Sequence, residues 1–224
     1  RHLTGKDPDR LPQEKARGMT LDLGFVHSDG LSVIDCPGHE GFLRHMIAGV
    51  SAVDGVCLIV SLTEGPQEQT FEHLRILKWL GIKDVLLVLT KADLLKDQSE
   101  VESWAASITK NIQQHTADGP RVKSLLFSPA ISREILTNEV KTFFSSAKVP
   151  KLATQPRFFI DRAFVINGVG TVVTGTFSEG HMKLPSAAVL WTPGQANLQK
   201  VTIRSIRFDT VSTDECAQLA RVAL

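Results

Sequence analysis

Between residues 20 and 146, short continuous apolar runs of strand length alternate with longer stretches whose apolar residues recur every three or four positions. Residues 20–27 are rich in β-favouring types, and Ser28-Asp29-Gly30 predicts a hairpin turn into the apolar run 31–34. Over 39–52, Phe42, Leu43, Met46, Ile47 and Val50 fall at helical spacing. Residues 56–62 and 85–89 are continuous apolar runs of the buried-strand kind. Residues 67–80 are amphipathic, with Leu74, Leu77, Trp79 and Leu80 apolar and Gly81 as the stop. A helix is predicted over 99–115, ending before Asp118-Gly119-Pro120, then a short strand at 125–127 and a helix over 132–146. Strands alternating with helices imply a mostly parallel sheet covered by helices on both faces. The rhythm changes after Lys148-Val149-Pro150. Runs at 158–166, 170–177, 187–191, 200–208 and 217–224 are β-rich and punctuated by glycine, with no helical period. The expectation is an α/β domain over 1–150 and a small antiparallel β-barrel over 151–224.

Composition adds limits. Hydrophobic residues are 42% and charged residues 22%, an ordinary globular balance. No apolar stretch has the length to span a bilayer and no signal-peptide pattern opens the sequence, so a cytoplasmic protein without membrane partners is expected. Cys36, Cys57 and Cys216 lack metal-ligand spacing and read as reduced thiols, two of them in or beside apolar strands. Net charge is +1, about +3 in residues 151–224 and −2 before them, so any RNA contact rests on a local patch.

Chemistry concentrates at strand ends. Asp35-Cys36-Pro37-Gly38-His39-Glu40 follows the run 31–34. An acid leaving a strand, then a glycine in a tight turn, suits a nucleoside-triphosphate switch. The carboxylate reaches a metal through water, and glycine lets a backbone N–H approach the terminal phosphate. Thr90-Lys91-Ala92-Asp93 follows the run 85–89. An acid there can accept both the ring N–H and the exocyclic amine of guanine. Adenine offers an acceptor and no amine there, and the buried carboxylate left unpaired can discriminate by about 10⁴-fold. Together the two motifs point to GTP. Asp93 is also compatible with a helix cap. Glycines 168, 170 and 175 lie in a β-rich run with no helix after it, so turns and bulges explain them better than a dinucleotide fingerprint.

The stretch Asp9-Arg10-Leu11-Pro12-Gln13-Glu14-Lys15-Ala16-Arg17-Gly18-Met19-Thr20-Leu21-Asp22-Leu23-Gly24-Phe25 resembles the first switch region of translational GTPases. Its E-K-x-R-G-x-T core is shared with elongation factor Tu, while D-R-L-P and L-D-L-G-F look more like selenocysteine-specific elongation factors. Ile160-Asp161-Arg162-Ala163-Phe164 and Gly168-Val169-Gly170-Thr171-Val172-Val173-Thr174-Gly175-Thr176 are similar to that family's second domain, and Thr90 in place of the usual Asn also matches it. The resemblance implies a P-loop GTPase-type domain followed by a translation-factor barrel. It implies GTP and Mg2+ as ligands, with Thr20 and Asp35 at the metal, Gly38 at the γ-phosphate and His39 orienting water. It further implies Lys91 and Asp93 at guanine, with Thr90 before them and Ser128-Pro129-Ala130 at the guanine carbonyl. Asp161, Arg162 and Arg221 would line a pocket for the aminoacyl end of selenocysteyl-tRNA, where a cationic site tells a selenolate from an alcohol by charge. The two arginines are equally compatible with plain barrel-surface charges. The ribosome is the implied partner, and an mRNA hairpin would be read only by domains outside these residues.

The sequence departs from that pattern in places. It has no G-x-x-x-x-G-K-[ST] loop to cradle phosphates, and Asp7-Pro8 after Gly5-Lys6 prevents a helix from starting there. Residues 1–4 read as the last turn of a helix capped by Gly5. The expectation is a fragment cut within its first helix, short by about 20 residues and binding GTP feebly. Pro129, Pro185-Ser186 and Leu219-Ala220 also differ from the family's usual residues. A carrier of ordinary aminoacyl-tRNA and a non-catalytic binding module remain as alternatives.

Overall fold

The computed structural model describes residues 2–5, 23–28, 31–39, 41, 43–50, 53–145, 156–192, 194, 197–208, 211–217 and 220–224. The chain divides into two compact units, Arg1–Val149 and Pro150–Leu224.

In the first unit, β1 (Gly24–Ser28) and β2 (Leu31–Asp35) form an antiparallel hairpin in which Ser28 pairs with Leu31, the register of a two-residue turn. Helix α1 (Leu43–Val50) follows. A separate parallel sheet has the order β3-β4-β5, made of β3 (Val56–Ser61), β4 (Asp84–Thr90) and β5 (Arg121–Leu126). Its crossovers carry α2 (Glu68–Trp79) and α3 (Gln98–His115), and α4 (Arg133–Ser145) follows β5. Strand β4 is central and its apolar residues are all buried, which is why its sequence shows no alternation. Val85, Leu87 and Leu89 face one core with Leu58, Val60, Leu74, Leu77, Ile108 and Ile112. Leu86 and Val88 face a second with Leu136, Val140 and Phe143 of α4. Helices thus cover both faces.

Local chemistry sets the helix ends. Gly81, at φ +75°, stops α2 by letting the Ile82 N–H reach back to the Leu77 carbonyl at 3.0 Å. Asp97 caps α3, its carboxylate accepting from the Glu100 N–H and the Ser99 hydroxyl, each at 2.8 Å. Those bonds hold its carboxyl below the usual range.

The strand expected at 31–34 forms as β2, antiparallel to β1 as the hairpin reading expects, and is half-buried. Two differences from the sequence reading stand out. Ile59 in β3 stays 59% exposed, on the face shared with Val88. Trp79, counted with the apolar face of α2, is 94% exposed at the helix end, whereas Leu74 and Leu77 are buried.

The second unit is antiparallel throughout. Its five-stranded sheet runs β12-β11-β14-β7-β6, with β6 (Arg157–Ile166), β7 (Gly170–Glu179), β11 (Ile206–Phe208), β12 (Val211–Thr213) and β14 (Ala220–Ala223). Two ribbons complete it: β8 (His181–Lys183) with β13 (Glu215–Ala217), and β9 (Ser186–Leu190) with β10 (Gln199–Ile203). Phe177, Met182, Ile206, Cys216 and Val222 form its core. The run 200–208 is split by Arg204-Ser205 into β10 and β11, and the run 217–224 is shared between β13, which ends at Ala217, and β14, which starts at Ala220.

Candidate functional site

In a parallel sheet all the loops after the strands leave at one edge, where ligands of open α/β sheets bind. Here the ladder runs on past the strand ends. The Leu62 N–H bonds the Thr90 carbonyl at 2.9 Å and the Phe127 N–H bonds the Leu89 carbonyl at 2.8 Å, so three loops are brought together.

The middle loop holds Lys91 and Asp93. Thr90 ends β4 and its hydroxyl donates to the Val60 carbonyl at 3.4 Å. Lys91 has φ 62° and ψ 29°, the sole non-glycine with positive φ among the described residues. A left-handed conformation costs a residue with a Cβ about 1–2 kcal/mol. It turns the chain into a short 3-10 helix, Ala92–Leu94, that carries Asp93 to the surface. Asp93 caps nothing: Asp97 is the cap of α3, and among the described residues no protein group bonds the Asp93 carboxylate. The Lys91 ammonium forms an ion pair with Glu64 in the loop after β3. In the third loop the Ala130 N–H donates to Ser128 Oγ at 3.3 Å and the Ile131 N–H to the Ser128 carbonyl at 2.9 Å, so the amide assigned to guanine is engaged within its own turn. His2 also reaches this loop, its Nε2 lying 2.8 Å from the Ile131 carbonyl.

The phosphate-side residues sit on the ribbon. Asp35 ends β2 opposite Gly24. Among the described residues nothing lies within 4 Å of where a Cβ of Gly38 would stand. His39 is exposed, and its Nδ1 accepts from the Gly41 N–H at 3.1 Å, which leaves the proton of a neutral ring on Nε2. Between Asp35 and Gly38, burial and then the Asp35 charge push the Cys36 thiol up to about 12. Burial alone takes Cys57 up to about 11, so neither is a thiolate at neutral pH. Thr20 lies outside the described residues. The structure therefore gathers the base-side residues on one sheet edge, while β2 has no hydrogen-bonded partner in that sheet. Among the described residues no group of three or more His, Cys, Asp or Glu side chains is placed to hold a metal. A single carboxylate with a hydroxyl and phosphate oxygens is the donor set that suits a hard, largely hydrated Mg2+. A hollow of about 500 Å³ lined by Gln113, Arg121, Lys123, Thr142 and Phe143 lies at the start of β5, the edge away from these loops.

In the second unit the β6-β7 register slips between Ile160 and Arg162, so Asp161 is the extra residue of a bulge. Its Oδ1 accepts from the Thr174 hydroxyl at 2.9 Å. Arg162 is exposed and faces Thr174 in the register. Across β7, the backbone of Arg221 pairs with Thr176; its side chain lies outside the described residues. Two strand spacings across and two residues along β7, about 12 Å together, thus separate the Arg162 and Arg221 backbones. Gly168 and Gly170, at φ 82° and 112°, serve the turn of this hairpin.

Motif reading missed two residues. Glu64 stands before Gly65-Pro66 in a loop next to that of Lys91, and the parallel order of β3 and β4 was the available signal. Thr174 needs the bulge, which no period reveals.

A family profile described as the elongation factor Tu GTP binding domain matches residues 2–173, past the first unit and into β7. The chain is 35% identical over 99% of its length to the selenocysteine-specific elongation factor of Haemophilus influenzae, and 34% identical over 99% to that of Escherichia coli. It spans 35% and 36% of those two proteins' lengths. It is similar in structure to the bacterial selenocysteine-specific elongation factor EF-Sec, with a TM-score of 0.86 and 32% identity over 100% of this chain and 38% of that one. Against translation elongation factor SelB from Methanococcus maripaludis, in complex with the GTP analogue GppNHp, the TM-score is 0.75 at 26% identity, covering 91% of this chain and 45% of that one.

Proposed function

Since this chain belongs to the family of the elongation factor Tu GTP binding domain, we propose that it forms the guanine-nucleotide switch and first barrel of a factor delivering selenocysteyl-tRNA to the ribosome. One observation carries the reading: Lys91 and Asp93, the latter without a bonded partner among the described residues, share the carboxyl edge of a parallel sheet with the Ser128-Ala130 turn. The likeness to selenocysteine-specific factors along nearly the whole chain narrows the cargo.

At the base, the Lys91 stem lies along the purine and Asp93 accepts the guanine N–H groups. Ser128 and Ala130 contribute the turn facing the guanine carbonyl, and the Ala130 N–H gives up its long bond to Ser128 for that oxygen. At the phosphates, the Gly38 N–H senses the terminal group and His39 orients the attacking water, which needs placement more than deprotonation. Thr20 and Asp35 would hold Mg2+, which would supply charge neutralisation on the phosphate oxygens. Tight binding also needs a glycine-rich phosphate loop, and no G-x-x-x-x-G-K-[ST] occurs in the 224 residues. These residues alone therefore bind GTP weakly and hydrolyse it little.

In the second unit, Asp161, Arg162 and Arg221 form the aminoacyl pocket, and the two guanidiniums prefer a selenolate to a hydroxyl. Any mRNA hairpin is read by domains beyond these residues, and the setting is the cytoplasm. A carrier of ordinary aminoacyl-tRNA is the second reading, favoured by a profile that is elongation factor Tu's own and by Leu219-Ala220 before Arg221. Arg162→Ala and Arg221→Ala in the full-length protein separate the two. Loss of a charge-assisted contact is expected to weaken selenocysteyl-tRNA binding on the order of tenfold and seryl-tRNA binding far less. Equal losses for both tRNAs would leave the ordinary carrier.

A further inference from the structure

The loop after β3 is more constrained than a connection needs to be. Leu62 is fully buried and anchors its start. The Ser61 carbonyl accepts from the Gly65 N–H at 2.9 Å, and the Ser61 hydroxyl meets Thr63 Oγ1 at 3.0 Å and the Glu64 N–H at 3.3 Å. From the far side the Gln67 side-chain amide donates to the Glu64 carbonyl at 2.9 Å. Gly65, at φ 69°, closes the turn. The backbone of Glu64 is thereby fixed from both sides, and its carboxylate ends on the Lys91 ammonium. Lys91 is constrained in turn by its left-handed backbone, and its carbonyl accepts from the Leu94 N–H at 3.2 Å.

We propose that Glu64 is the positioning residue for Lys91, holding the lysine stem extended over the place of the purine; this rests on the guanine-nucleotide reading above. A lysine has four rotatable bonds and a strongly hydrated head, so a stem must be held at its tip to offer a flat apolar ledge to a base. Both side chains are about half exposed, at 46% and 59%, so the pair contributes little to folding. Its constraint is read in the nucleotide complex instead. The fixed loop lets the anion wait at the right distance, and the ladder bond between Leu62 and Thr90 locks the two loops in register.

The test is GDP affinity of the full-length protein, measured for the unaltered chain, Glu64→Gln, Glu64→Asp, Lys91→Met and the double variant Glu64→Gln with Lys91→Met. Glu64→Gln is expected to weaken GDP binding about two- to fivefold without moving the melting temperature, and Glu64→Asp to recover part of the loss. The deficit should shrink in 1 M salt, where screening acts within about 3 Å. In the Lys91→Met background, Glu64→Gln should have no further effect. Additive losses in the double variant, or unchanged affinity in Glu64→Gln, would overturn the assignment. Asp93→Asn is measured beside them. A changed base preference there with an inert Glu64→Gln removes this inference alone, whereas an unchanged preference removes the guanine reading beneath it.

Discussion

Gly38 has open space where a side chain would begin, whereas a Cβ at Gly49 would meet Cys36 Sγ at 2.8 Å and Leu23 Cδ2 at 2.9 Å. A side chain at the second position would have to displace those side-chain ends, and nothing comparable stands at the first. Gly38→Ala should therefore leave stability within about 0.5 kcal/mol. If the residue's amide serves a γ-phosphate, the same change weakens GTP binding and slows hydrolysis while GDP affinity and melting temperature hold. Titrating both nucleotides against the variant decides it, and a loss common to GTP and GDP would contradict the role. At this scale the sequence was readable where one residue type has one task. Among the described residues Asp93 bonds no protein group, which is compatible with the proposed base-reading role, and the cap of α3 is Asp97. The Ala130 amide was less readable, because a serine two residues earlier can compete for it and only the turn geometry shows that it does.

Among the elements, the β6-β7 hairpin carries the clearest constraint. A Cβ on Gly175 would stand 1.9 Å from the Phe159 carbonyl oxygen, beside the bulge that places Asp161 against Thr174. Backbone cannot yield as a flexible side chain does. Gly175→Ala should destabilise the second unit by about 1–3 kcal/mol, seen as a lower denaturant midpoint for that unit; an unmoved midpoint would contradict the packing described. The central strand β4 and helices α2 to α4 were legible, because burial on two faces or one leaves a continuous or a 3.6-residue pattern. Strand β5 begins at Arg121, four residues before its apolar run, and charge hid that start. Arg121 is nonetheless anchored, its guanidinium 2.7 Å from the buried Asp84 carboxylate and over the Phe143 ring. Three-residue strands such as β8 and β12 are too short for any period to register.

For the molecule as a whole, each unit has its own core, and the proposed roles divide between them: the residues proposed for the nucleotide lie in the first and the arginine-bearing bulge in the second. Within the first unit the base side is built by neighbouring strand ends, so order along the chain and parallel pairing made it legible together. The residues proposed for the phosphates lie at the end of a ribbon that, among the described residues, does not pair with that sheet, and motif order alone does not give their distance from Asp93. Everything proposed for the barrel presupposes that the first unit reads guanine. Competition binding of GDP, ADP and XDP to the full-length protein, before and after Asp93→Asn, tests this most directly. The unaltered protein should prefer guanine to adenine by about 10⁴-fold, and Asp93→Asn should move the preference to xanthine, whose carbonyl accepts the new amide. Equal affinity for GDP and ADP, or a guanine preference that survives Asp93→Asn, would contradict it.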